Sequence, residues 1–237
     1  MNKARSRLIV ALDVPDRASA LSIVDLLAGR IQFYKVGVEL FVREGPRLVE
    51  ALRGRNVSVF LDLKLHDIPN QVAGAVRSAC ALGIQMLTVH AAGGPKMLEA
   101  ARRAVEDSGS PTVLLAVTAL TSLGPSEVEG LGISEPMSAW VERLSSIACA
   151  AGLRGRVVSS LELANVRRRL GPQVRLVVPG IRPVGSAAQD QSRIARPADA
   201  IRAGADFLVV GRPILQDPDP PGAAERILAE IAGAMGG

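Results

Sequence analysis

An acid and a base stand two residues apart in Phe60-Leu61-Asp62-Leu63-Lys64-Leu65-His66-Asp67. If that stretch is extended, alternate side chains share a face. Leu61, Leu63 and Leu65 then point one way, and Asp62 and Lys64 the other. A carboxylate beside an ammonium can orient it and keep it charged, and the ammonium can then supply a cation and a proton where negative charge develops. Other strand-like runs carry residues of the same kind: Leu8–Asp13 ends in Asp13, Phe33-Tyr34-Lys35-Val36-Gly37 holds Lys35, and His90 closes a fourth apolar run. Of the 28 basic residues only Lys3, Lys35, Lys64 and Lys96 are lysines. Lys35 and Lys64 sit among apolar neighbours, where a charge is expensive. There the chain keeps an ammonium that can give up a proton, which a guanidinium cannot do. Each group alone has a plainer reading: a wet edge strand, a structural Asp13–Lys35 pair, a satisfied structural histidine. Their convergence on one rim makes a site.

A second constellation suits an anion. Val178-Pro179-Gly180-Ile181-Arg182-Pro183 and Val210-Gly211-Arg212-Pro213 each follow an apolar run with glycine and then arginine. Glycine lets backbone N–H groups approach oxygens closely, and arginine adds a forked, charge-assisted donor. The stretch Gly180–Arg196 is long for a connection and poor in apolar residues, which suits a lid over a bound phosphate.

These residues need a scaffold that brings strand ends together. Strand-like runs fall at Leu8–Asp13, Phe33–Gly37, Val57–Lys64, Met86–Ala91, Thr112–Leu120, Arg156–Ser160, Arg175–Pro179 and Asp206–Gly211. Helical patterns lie between and after them, near 17–28, 40–53, 70–82, 95–107, 136–151, 162–169, 197–203 and 222–235. Gly29, Gly54, Gly83, Gly109, Gly152, Gly171 and Gly204 follow the helices, where a left-handed residue is wanted. Regular βα alternation implies a parallel sheet, and eight units imply an α/β fold of the closed (β/α)8 barrel type, one domain over 1–237. An open doubly wound sheet is the alternative, but no Gly-x-Gly-x-x-Gly follows the first strand. In a barrel Asp62 and Lys64 face the axis near the C-terminal rim.

Composition narrows the class further. With 48% hydrophobic and 22% charged residues the chain is globular rather than disordered. No apolar run approaches the ~18 residues that span a bilayer, and Leu8–Leu12 is too short for a signal-peptide core. Cys80 and Cys149 make no disulfide framework, which fits a reducing cytoplasm. His66 and His90 have no partners at zinc spacing. Aromatics are 3%, so bases have almost nothing to stack on, and Arg167-Arg168-Arg169 reads as a solvated helix face rather than a nucleic-acid patch. The net charge of +5 favours small anions by steering.

Asp62-Leu63-Lys64-Leu65-His66-Asp67-Ile68-Pro69-Asn70 closely resembles the signature of the orotidine 5′-phosphate decarboxylase family. The resemblance continues through Ala11-Leu12-Asp13, Tyr34-Lys35-Val36-Gly37, His90-Ala91-Ala92-Gly93-Gly94, Val117-Thr118-Ala119-Leu120-Thr121-Ser122, Pro179-Gly180-Ile181-Arg182, Asp190-Gln191 and Gly211-Arg212-Pro213-Ile214. It implies a homodimeric barrel that converts orotidine 5′-monophosphate to uridine 5′-monophosphate and CO2 without metal or cofactor. By position, Lys64 would donate the proton with Asp62 beside it, and Asp67 and Ile68 would reach into the partner subunit's site. Asp13 and Lys35 would hold ribose hydroxyls, and Thr121 would lie in the loop on the pyrimidine. Gln191, Gly211 and Arg212 would hold phosphate, with Arg182 in the lid nearby. No nucleic-acid or membrane partner is implied.

One segment departs from the family pattern, which usually reads Asp-Gly-Val-Val-Cys-Ser. Here Arg154-Gly155-Arg156-Val157-Val158-Ser159 puts a charge at an apolar strand position, where Arg156 would snorkel to the bottom rim or alter the packing. Two other readings compete. A related phosphosugar barrel shares Asp-x-Lys-x-x-Asp but uses Mg2+ to hold an enediolate, and a silent barrel would only bind a nucleotide phosphate.

Overall fold

Eight parallel strands pair in chain order and close on themselves. They are β1 (Leu8–Ala11), β2 (Phe33–Gly37), β3 (Ser58–Leu65), β4 (Met86–His90), β5 (Val113–Val117), β6 (Gly155–Val157), β7 (Arg175–Val178) and β8 (Phe207–Val210). The seam is β8 on β1, with Leu8 opposite Leu208 and Val10 opposite Val210. This computed structural model describes residues 2–183 and 195–236. The expected (β/α)8 barrel is the observed one.

The two-residue period of the strands sorts the core into two layers. Leu8, Val10, Tyr34, Val36, Val59, Leu61, Leu87, Val89, Leu176 and Val178 face outward into the helix layer. Ile9, Ala11, Phe33, Phe60, Met86, Leu115, Val177 and Val209 face the axis. The lower end of the axis is plugged by Phe33 and Phe207, packed edge-on with ring centroids 6.0 Å apart. Lys35 shares its phase with Phe33, and Asp62 shares its phase with Phe60. The site charges thus stand on an apolar plug.

Several sequence expectations change. The helix expected over 40–53 is two, Val38–Glu44 and Pro46–Arg53, broken at Gly45 (φ 62°). Pro46 has no N–H to continue the first helix and starts the second at its first position. Short helices Asn2–Arg5, Pro125–Gly130 and Arg212–Leu215 show no legible period because each spans fewer than two turns. Gly54 is right-handed (φ −59°), and Asn56 (φ 57°) makes the left-handed turn instead. The other six glycines have positive φ as expected.

Arg167 is not on a solvated face. It donates to the carbonyls of Gly171, Val174 and Gly204 and to Asp206, tying its helix (Leu163–Leu170) to the start of β8, while Arg168 and Arg169 are exposed. Arg156 does not snorkel. It is fully buried on the outer face of β6, beneath the helix Met137–Ala150. Its Nη1 donates to the Leu153 and Gly155 carbonyls and its Nη2 to that of Ser145, but its Nε has no partner. Burial pushes its guanidinium down from the usual range, with Cys149 opposing that shift.

Candidate active site

The C-terminal ends of the strands enclose a cavity of about 310 Å3. β1 delivers Asp13, β2 Lys35, and β3 Asp62 and Lys64. The four form a row of alternating charge. Lys35 Nζ lies 3.0 Å from Asp13 Oδ1 and 3.9 Å from Asp62 Oδ2, and Lys64 Nζ lies 2.8 Å from Asp62 Oδ1. Lys35 and Asp62 in the middle are 11% and 17% exposed, whereas Lys64 at the inner end is 37% exposed and open to a ligand. Phe60 forms the apolar floor beneath them. A low-polarity floor strengthens every charge interaction above it.

Small residues make the row possible. A Cβ on Gly37 would come within 3.1 Å of Lys35 Nζ, and one on Gly211 within 3.2 Å of Asp13 Oδ2. Gly211 leads into the short helix Arg212–Leu215, so the backbone after β8 packs against Asp13 at one end of the row. Gly180, Arg182, Gly211 and Arg212 also line the cavity, as do Leu120, Thr121 and Ser122. Gly180 is left-handed (φ 74°), and Arg182 is buried with Nη1 donating to the Ile181 carbonyl. Among the described lining residues two carboxylates face four cations: Lys35, Lys64, Arg182 and Arg212.

Of the residues singled out in the sequence, Asp13, Lys35, Asp62, Lys64, Thr121, Arg182, Gly211 and Arg212 share this one cavity. Asp67 and Ile68 do not. They lie in an exposed run, 66–71, where Asp67 accepts the Ile68 amide and Ile68 is 63% exposed. Gln191, and the middle of the loop read as a lid, lie outside the described residues. The loop's ends are tied together by the Ile181–Ala195 bridge and by the Arg182 amide donating to the Ala195 carbonyl. His90 does not join the cavity. It stacks on His66 at 5.2 Å, and its Nδ1 accepts the Ala92 amide. Burial, then the nearby His66 and Lys64, push its pKa down to about 4, so the ring is neutral at pH 7. Among the described residues no group of three or more His, Cys, Asp or Glu is placed to hold a metal ion.

The model of the family described as "Orotidine 5'-phosphate decarboxylase / HUMPS family" matches residues 6–227. The chain belongs to the orotidine 5′-phosphate decarboxylase / HUMPS family. It is 51% identical over 228 residues to a protein of Halorhodospira halophila named orotidine 5′-phosphate decarboxylase, covering 96% of this chain and 97% of that one. A protein of the same name from Anaeromyxobacter sp. is 49% identical over 229 residues, covering 97% and 100%. The crystal structure of orotidine 5′-phosphate decarboxylase from Lactobacillus acidophilus superposes with a TM-score of 0.85 at 35% identity, over 95% of this chain and 99% of that one.

Sequence reasoning missed Ser122 on the cavity wall and a polar residue behind that wall. Thr88 on β4 is fully buried; its Oγ1 donates to Asp62 Oδ1 at 3.0 Å and accepts the Lys64 backbone amide at 2.8 Å. The signal was present: Met86, Thr88 and His90 share the inward phase, and a hydroxyl there breaks an otherwise apolar run. The regular alternation read for β3 also fails locally. Lys64 has a φ of 48°, and the β3–β4 register shifts between Leu61 and Leu65.

Proposed function

We propose that the chain is a carboxy-lyase that converts orotidine 5′-monophosphate to uridine 5′-monophosphate and CO2 in pyrimidine biosynthesis, with no metal or cofactor. The observation that carries the reading is the charged row ending at the open Lys64, with the arginine-lined wall in the same cavity. The substrate is anionic at both ends, through a carboxylate on the ring and a distant phosphate. Gly211 and Arg212 hold the phosphate, joined by Gln191, with Arg182 beside them. Asp13 and Lys35 hold the ribose hydroxyls, and Thr121 meets the pyrimidine.

Loss of CO2 leaves an electron pair on a ring carbon with no adjacent sink. Lys64 places a cation where that charge develops and then transfers its proton to the carbon. Asp62 keeps Lys64 charged and aimed. This is stabilisation by groups already in place before the reaction. Binding energy gained at the phosphate raises the rate when it helps organise the reacting end.

The working unit is a homodimer in the cytoplasm. Asp67 and Ile68, exposed and outside their own cavity's lining, complete the site of the partner subunit. The exposed Ile68, Val38 and Val42 supply apolar surface for that contact.

The test follows the ultraviolet absorbance of orotidine 5′-monophosphate mixed with the purified chain, with and without EDTA. Turnover unaffected by the chelator is expected. For Lys64→Ala, a loss of about a thousandfold or more is expected, with uridine 5′-monophosphate still bound. Absence of CO2 release overturns the reading, loss of activity in EDTA points to the Mg2+-dependent phosphosugar chemistry, and near-normal turnover of Lys64→Ala removes Lys64 from its role.

A further inference from the structure

The distortion in β3 has a specific partner. Leu61 pairs with Leu87 and Leu65 with Val89, so Asp62, Leu63 and Lys64 stand opposite Thr88 alone. Such a bulge breaks the ladder and re-aims side chains. It leaves the Lys64 amide without a strand partner, and it sets Lys64 at φ 48°, a left-handed backbone that is strained for a non-glycine residue. Thr88 offsets both faults with one hydroxyl. The oxygen accepts the orphaned Lys64 amide at 2.8 Å, and the proton goes to Asp62 Oδ1 at 3.0 Å. The same Asp62 oxygen receives Lys64 Nζ at 2.8 Å.

We infer that Thr88 is a positioning residue, whose hydroxyl holds the Lys64 backbone and the Asp62 carboxylate in the arrangement that turnover requires. Thr88 does not line the cavity, so it acts only through those two residues. Its donor is directed by the acceptor: once the oxygen takes the Lys64 amide, the hydroxyl proton is free to turn to Asp62. Valine has nearly the same shape and supplies neither bond. Serine supplies both.

The inference rests on the decarboxylase reading, and the experiment separates the two. Turnover of the unsubstituted chain on orotidine 5′-monophosphate tests that reading, while the ratio of variant to parent tests this one. Thr88→Val and Thr88→Ser are compared, with kcat expressed per site titrated by uridine 5′-monophosphate, so that misfolded protein is not counted. Thr88→Val is expected to lose about 10- to 100-fold in kcat, the range for a hydrogen bond to a charged group, with KM and product affinity within about threefold of the parent. Thr88→Ser is expected to return kcat to within about threefold. The inference is overturned if Thr88→Val keeps kcat within threefold, if the loss falls on KM alone, if serine is as impaired as valine, or if Thr88→Val leaves no titratable sites. A parent chain that releases no CO2 overturns both readings.

Discussion

His90 should make the fold acid-sensitive in a window set by its own ring. The ring is partly buried, stacked on His66 at an interplanar angle of 11°, and its Nδ1 accepts the Ala92 amide. A proton at Nδ1 breaks that bond and places a cation beside His66 and Lys64. Its folded pKa is pushed down to about 4, first by burial and then by those neighbours, from an ordinary value of 6.5. A depressed value means the folded chain prefers the neutral ring. The contribution is fully present above about pH 6.5 and is lost as pH falls towards 4. Taken at face value, proton linkage costs about 2.5 kcal/mol by pH 4.5; screening by solvent at this rim leaves about half, ~1.3 kcal/mol. The assay is urea unfolding of the parent and of His90→Gln at pH 7 and pH 4.5, at one protein concentration. Carboxylates titrate in both proteins and cancel in the difference. The parent should lose about 1.3 kcal/mol more than the variant over that interval. A parent-to-variant gap that is the same at both pH values would refute the reasoning.

Two further outcomes concern the buried Arg156 and the cavity-lining Arg212. Arg156→Ala strips the donors from the Leu153, Gly155 and Ser145 carbonyls and opens a cavity, so it should cost about 3–5 kcal/mol in denaturant unfolding, with Arg156→Met losing less. A cost below about 1 kcal/mol would mean that those carbonyls find water. Arg212→Ala should weaken substrate binding about 10- to 100-fold and also lower kcat on saturated enzyme, measured by steady-state kinetics. An unchanged maximal rate would show that the phosphate end does not help organise the reacting end.

Much of the site was legible because strand period is rigid. Once Phe33 and Phe60 are placed on the axis, Lys35 and Asp62 must follow two residues later, and glycine at 37 and at 211 leaves room for Lys35 and Asp13 respectively. The bulge at Lys64 was not legible. Leu61, Leu63 and Leu65 imitate perfect alternation, and the register that breaks it is set by pairing with a strand more than twenty residues away. His90 misled for a related reason: the inward phase brought it to the rim, but its stacking on His66 turned it from the cavity. Arg167 and Arg168 look alike in sequence, yet one step of helix rotation puts the first among orphan carbonyls and the second in water. The break at Gly45-Pro46 could have been read from the dipeptide itself.

The row of charges also constrains how catalysis can work. A substrate carboxylate held ~4 Å from Asp62 would be repelled by roughly 4 kcal/mol at an effective dielectric near 20. That is about a thousandfold in rate, whereas enzymes commonly supply ~8–23 kcal/mol. Crowding therefore cannot be the main source of acceleration, and any of it comes from the same carboxylate that holds Lys64 2.8 Å away. On the proposed reading, the larger share comes from a cation that is already in place when the ring carbon becomes negative. Such a cation is worth most when it does not have to move. The features that would keep such a cation still converge on Lys64: a bulge and a left-handed backbone there, a buried hydroxyl bonded to Asp62 and to the Lys64 amide, and the Phe60 ring lining the cavity. It follows that changes which loosen this pair should slow turnover more than changes which alter only the net charge of the cavity.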